Sequence, residues 1–108
     1  MKTAKANKIL DKALADIAKS GINPEELIPQ LQEAREMALK EEDPLVTRAL
    51  RLAWQHLESN NGFLLAFLED AESQEENLEF FLSLCLRCEN DRNRDELREM
   101  TNMLQEMA

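Results

Sequence analysis

A chain of 108 residues is the size of one domain with a single core, and 44% hydrophobic with 32% charged residues excludes both a disordered tail and a membrane-embedded protein. A formal net charge of −9 sets it against a phosphate backbone, so nucleic acid is not expected as a partner. Leucine and alanine supply 30 of the apolar residues, valine occurs once and tyrosine is absent, which favours helix over strand.

The first element expected is an amphipathic helix over residues 3–19. Leu10, Ala13, Leu14 and Ile17 share one face, with Lys5, Lys8, Lys12 and Lys19 nearly opposite. Gly21 is placed to stop it. Asn23-Pro24-Glu25-Glu26 then reads as a helix start, with Asn23 as cap, Pro24 at the first position, Glu26 completing a capping box, and Ile22 with Leu27 as hydrophobic staple. Pro29 lacks an N–H and crowds the carbonyl of Glu25, which predicts a short turn, a kink or restart, and helix through about Lys40.

Asp43-Pro44 repeats the start signal for a helix over 44–58. Its apolar arc holds Leu45, Val46, Ala49, Leu50, Leu52, Ala53 and Leu57, and Ser59-Asn60-Asn61-Gly62 ends it. The run Phe63 to Leu68 lacks β-branched residues and is expected as a short buried helix. Ser73-Gln74-Glu75-Glu76 opens a further helix through about Glu89, and Asn93 with Glu96 opens the last. The fold expected is all-α: a small bundle of five or six short helices with antiparallel neighbours, one domain over 1–108 and one core.

From Leu78 to Cys88 eight of eleven residues are apolar, and the polar ones, Glu79, Ser83 and Arg87, form one narrow stripe. Such a helix is buried on several sides, at the centre of a bundle or in an interface. Leu45–Glu58 and Leu78–Asp91 are loosely alike at a spacing of 33, near the tetratricopeptide period. Leu31 and Arg35 stand where that pattern wants a small and an aromatic residue, so no family is assigned.

Charge is uneven along the chain. Residues 1–19 carry five lysines against Asp11 and Asp16, and residues 62–108 carry twelve acids against four arginines. Arg87, Arg92, Arg94 and Arg98 are interleaved with acids and are expected as salt-bridged surface. The first twenty residues hold no apolar leader core, and the longest apolar run, Phe63 to Leu68, is far too short to cross a bilayer. With no disulfide framework either, a cytoplasmic protein is expected, with no membrane contact.

Few groups suit chemistry. Cys85 and Cys88 sit one turn apart on a helix and can give two soft ligands to zinc, but a structural zinc site needs four, and His56 is the only histidine. A thiol- or zinc-dependent regulator is therefore the alternative reading, with buried free thiols as the plainer one. His56 falls within an apolar arc, where a hydrogen-bonded core imidazole is expected rather than a general base. There is no Glu-x-x-His pair and no glycine-rich phosphate loop. No catalytic residue and no cofactor is expected. What is left is binding: Met100, Met103 and Met107 form a flexible apolar stripe that either covers the core, the plainer reading, or offers a groove to a partner, and Trp54 is a residue type favoured at interface hot spots. These four are the candidate partner-binding residues of a protein-interaction module that contacts another protein or itself.

Overall fold

Four helix starts are built by side chains that accept from free backbone N–H groups. Thr3 accepts from Ala6 at 3.2 Å, Asp43 from Val46 at 3.2 Å, Ser73 from Glu76 at 3.3 Å and Asn90 from Asn93 at 3.2 Å. The computed structural model describes residues 1–108 and contains five helices and no strand: α1 (Ala4–Ser20), α2 (Pro24–Lys40), α3 (Pro44–Asn60), α4 (Gln74–Leu86) and α5 (Asp91–Met107). The expected all-α bundle is what the chain forms.

The ends obey the same logic. Gly21 closes α1 at φ 77, ψ −166, a conformation essentially reserved for glycine. Asn61, at φ 53, closes α3 in the left-handed conformation that asparagine tolerates. Glu42 takes the same role after α2 at φ 57, which lets the Asp43 N–H reach back to the Ala38 carbonyl at 3.1 Å.

Connections of three residues join α1 to α2 and α2 to α3, so each helix folds back on its predecessor. The five helices close into a ring. α1 lies against α2 and α4, α3 against α2 and α5, and α4 against α5, while α3 and α4 also meet across the middle. One core of 27 buried residues fills it, with Phe63, Phe81, Leu50, Leu57 and Leu82 among its largest members. α4 is shielded on several sides within this one chain: Leu78, Phe81, Leu82, Leu84 and Cys85 are buried, and Arg87 is exposed just after it.

Four local expectations are corrected. Phe63 to Leu68 is not a helix but part of an irregular thirteen-residue connection between α3 and α4. Its backbone donors bond instead to side chains of the flanking helices: Phe63 N–H to Gln74 Oε1 (3.1 Å), Leu64 N–H to His56 Nε2 (3.0 Å), and both Phe67 and Leu68 N–H to Asn77 Oδ1 (3.1 and 3.0 Å). Helix α2 runs through Pro29 without interruption. Pro29 is exposed, as is Glu25, so the carbonyl that loses its partner faces water and the cost is small.

At the start of α2, Asn23 occupies the cap position without a side-chain bond, and its carbonyl accepts from Glu26 and Leu27 instead. Finally, α4 ends at Leu86 and α5 is capped by Asn90, not Asn93. Asn93 is committed elsewhere: its Nδ2 donates to the Arg87 carbonyl at 3.0 Å, closing the turn between the two helices.

Candidate functional site

The C-terminal half of α3 and the end of α5 lie side by side, and both present apolar side chains there. Leu52, Trp54, His56, Leu104 and Met107 line a cleft of about 450 Å³ between them, with Gln55 and Asn60 at its polar rim. Met107 is 47% exposed, a large fraction for a side chain of its size and apolarity. Trp54 is half-buried, and its indole N–H is sheltered yet donates to no group of the chain. A tryptophan with an unspent donor beside a flexible methionine is a pairing suited to contact.

The methionine stripe does not act as one. Met100 is fully buried and belongs to the core, Met103 is half-buried against it, and only Met107 stands out from the surface. Met100 has no area left to offer a partner. Of the four candidate residues, then, Trp54 and Met107 are brought to one cleft, Met103 flanks the core, and Met100 is removed from the set.

His56 lines the floor of the cleft but is already engaged. Leu64 N–H donates to Nε2, which places the ring proton on Nδ1 and requires the neutral imidazole. Asn60 Nδ2 lies 3.3 Å from Nδ1 and 3.0 Å from the His56 carbonyl, and with Nδ1 protonated its donation goes to the carbonyl. The ring also meets Phe63 edge-on, with centroids 5.5 Å apart. Burial holds its pKa below the ordinary 6.5. No carboxylate hydrogen-bonds the ring, so nothing orients it as a general base.

No family model matches this chain, and neither a curated protein nor a solved structure does. The two thiols are not part of this cleft. Cys85 is completely buried and Cys88 nearly so, unpaired with each other, and burial pushes both thiols up. A raised thiol pKa disfavours the thiolate that metal binding and exchange chemistry need. Three or more His, Cys, Asp or Glu side chains nowhere converge as a metal cage.

Cys88 instead borders a polar knot. Arg94 donates to both oxygens of Asp43 (2.9 and 3.1 Å) and to the Cys88 carbonyl (3.3 Å). Arg94 is thus spent on the cap of α3, and not on the acids interleaved with it in sequence. Asp43 at once caps α3, ties the α4–α5 turn to it, and has its carboxyl held below 3.8, chiefly by the Arg94 hydrogen bond.

One feature escapes a reading by periodicity. Arg35 of α2 and Arg48 and Arg51 of α3, far apart in the sequence, line one groove of about 480 Å³ together with Leu39 and Thr47. Arg48 and Arg51 are the only lysine or arginine residues between Lys40 and Arg87, and that isolation is the one sequence signal that marks them. No helix is long and apolar enough to cross a membrane.

Proposed function

We propose that this chain is a protein-interaction module that works by contact rather than catalysis, with the cleft between α3 and α5 as its primary contact surface. The observation behind this reading is that Trp54 and Met107 meet at one surface cleft with Leu52 and Leu104. Buried aromatic anchors in such pockets account for most of the energy of protein contacts, and methionine adapts its shape to what docks. The engagement of His56 with the Leu64 amide and the burial of both thiols support contact over chemistry. A different protein is favoured over a second copy, since two chains of charge −9 repel.

The test is affinity capture from the native host with tagged wild type, Trp54→Ala/Met107→Ala and Lys8→Ala. Proteins retained by wild type and by Lys8→Ala but lost with the double variant are the expected result. An identical set from all three, with the double variant folded by circular dichroism, overturns the reading. Light scattering after size exclusion reports the oligomeric state, and a monomer is expected.

A further inference from the structure

The groove between α2 and α3 is a basic island on an acidic molecule. Arg48 donates to the Asn102 side chain of α5 at 2.9 Å, and no carboxylate lies in ion-pair contact with it or with Arg51. Arg35 is shared with the neighbouring Glu36 at 2.9 Å, while its sheltered Nε donates to nothing. Two carboxylates border the groove. Asp43 is neutralised by Arg94, and Glu42 is exposed at the rim. Among these guanidinium groups Leu39 stands 52% exposed. Arginine forks bind carboxylates through paired hydrogen bonds, and an aliphatic side chain between them gives an incoming apolar residue a place to rest.

The groove stands near the cleft already described. Arg35 also lines a separate depression of about 290 Å³ together with Gln32, Glu33, Glu36 and Trp54, and Trp54 in turn lines the α3–α5 cleft. The two carboxylates of that depression confine the basic surface to the groove itself. We infer that the α2–α3 groove is a docking site for a short acidic peptide segment of another protein, with its carboxylates on Arg35, Arg48 and Arg51 and an aliphatic side chain against Leu39. This rests on the contact role proposed above and gives the partner its chemistry.

Length decides between anionic ligands. A segment of a few residues can sit wholly among the arginines. A nucleic-acid strand or an anionic membrane would extend past them over a molecule whose net charge as a whole is −9, which disfavours it. Charge complementarity with an exposed apolar side chain in the same lining therefore selects an acidic peptide.

The experiment is selection of a random peptide library displayed on phage against immobilised full-length protein, in parallel with Arg48→Glu/Arg51→Glu and Trp54→Ala/Met107→Ala. Expected are enriched sequences with several Asp or Glu around an aliphatic residue. As synthetic peptides they should bind wild type, lose at least about tenfold in affinity to Arg48→Glu/Arg51→Glu, and weaken as salt is raised. Circular dichroism of Arg48→Gln/Arg51→Gln, expected to weaken binding less than the charge reversal, guards against misfolding. Enriched peptides without acidic bias that depend on Trp54 and Met107 but not on the arginines overturn this inference and leave the contact role standing. The absence of any enriched peptide overturns this inference, and binding indifferent to both double variants counts against the groove and the cleft alike. Tighter binding of a single-stranded oligonucleotide or of anionic vesicles than of the acidic peptides overturns the assignment of a peptide.

Discussion

A neutral imidazole that accepts from a backbone amide ties His56, and with it the cleft floor, to pH. In the unfolded chain the ring gains a proton near 6.5, whereas in the fold burial lowers its pKa, and a second proton would also turn Nε2 from acceptor to donor against the Leu64 N–H. Below 6.5 the unfolded state therefore binds more protons than the native state, so protons favour unfolding. The stability that His56 contributes is complete above 6.5 and is lost as pH falls from there through the folded value. Asp43 obeys the carboxylate version: its contribution is present above 3.8 and is lost as pH falls through the folded value, a separate and lower window. His56→Gln keeps an acceptor but does not titrate. Urea unfolding of the variant between about pH 7.5 and 5.5 should show a flatter dependence of stability on pH than wild type. Equal slopes would mean that the ring does not titrate differently in the two states.

Among the elements, the connection 61–73 shows why some of the chain was legible and some was not. The starts of α3 and α4 rest on interactions within three residues, and Asp43 and Ser73 act where the local pattern places such caps, while Thr3, expected as the first residue of α1, is its cap. Phe63 to Leu68 depends on partners further off. Its burial alternates, with Phe63 and Leu65 in and Leu64 and Ala66 out, and its donors are met by His56, Gln74 and Asn77. A run of leucine and phenylalanine has the composition of a helix, and only the tertiary partners override it. Gly62 belongs to the same arrangement, since a Cβ there would lie 2.7 Å from the Gln74 oxygen that accepts from Phe63. Asn77, which is buried and bonds two successive amides, makes the account testable. Asn77→Ala leaves both N–H groups without a protein partner and should cost about 1–3 kcal/mol. Hydrogen exchange should lose protection at the Phe67 and Leu68 amides first, and Asn77→Asp, which keeps the acceptor, should restore it. Unchanged protection in Asn77→Ala would show that these bonds do not hold the connection.

For the molecule as a whole, the closed ring of helices determines both the core and the surfaces left for contact. Trp54 and Met107 each stood out in the sequence as candidates for contact, but their shared cleft depends on α3 lying against α5, and the arginine groove depends on α2 lying against α3. Pairings of that kind are long-range and leave no local signature. The burial of α4 was legible, because a helix with only a narrow polar stripe has no other stable place. That burial has a measurable consequence at Phe81. The side chain is completely buried, its ring centroid lies 5.9 Å from that of Phe63, and Phe63 in turn meets His56. Phe81→Ala removes a large volume from the centre of the ring and should cost about 3–5 kcal/mol, a large share of the roughly 5–15 kcal/mol that holds a domain together. Because the cavity opens beneath Phe63, the amides of Phe63 and Leu64 should exchange faster than those of α2, which has no contact with α4. Lys8→Ala, on the exposed face of α1, should change stability by less than about 0.5 kcal/mol. Urea unfolding of the two variants beside wild type measures both values. A loss below about 1 kcal/mol for Phe81→Ala would mean that α4 is not the packed interior wall that the ring requires.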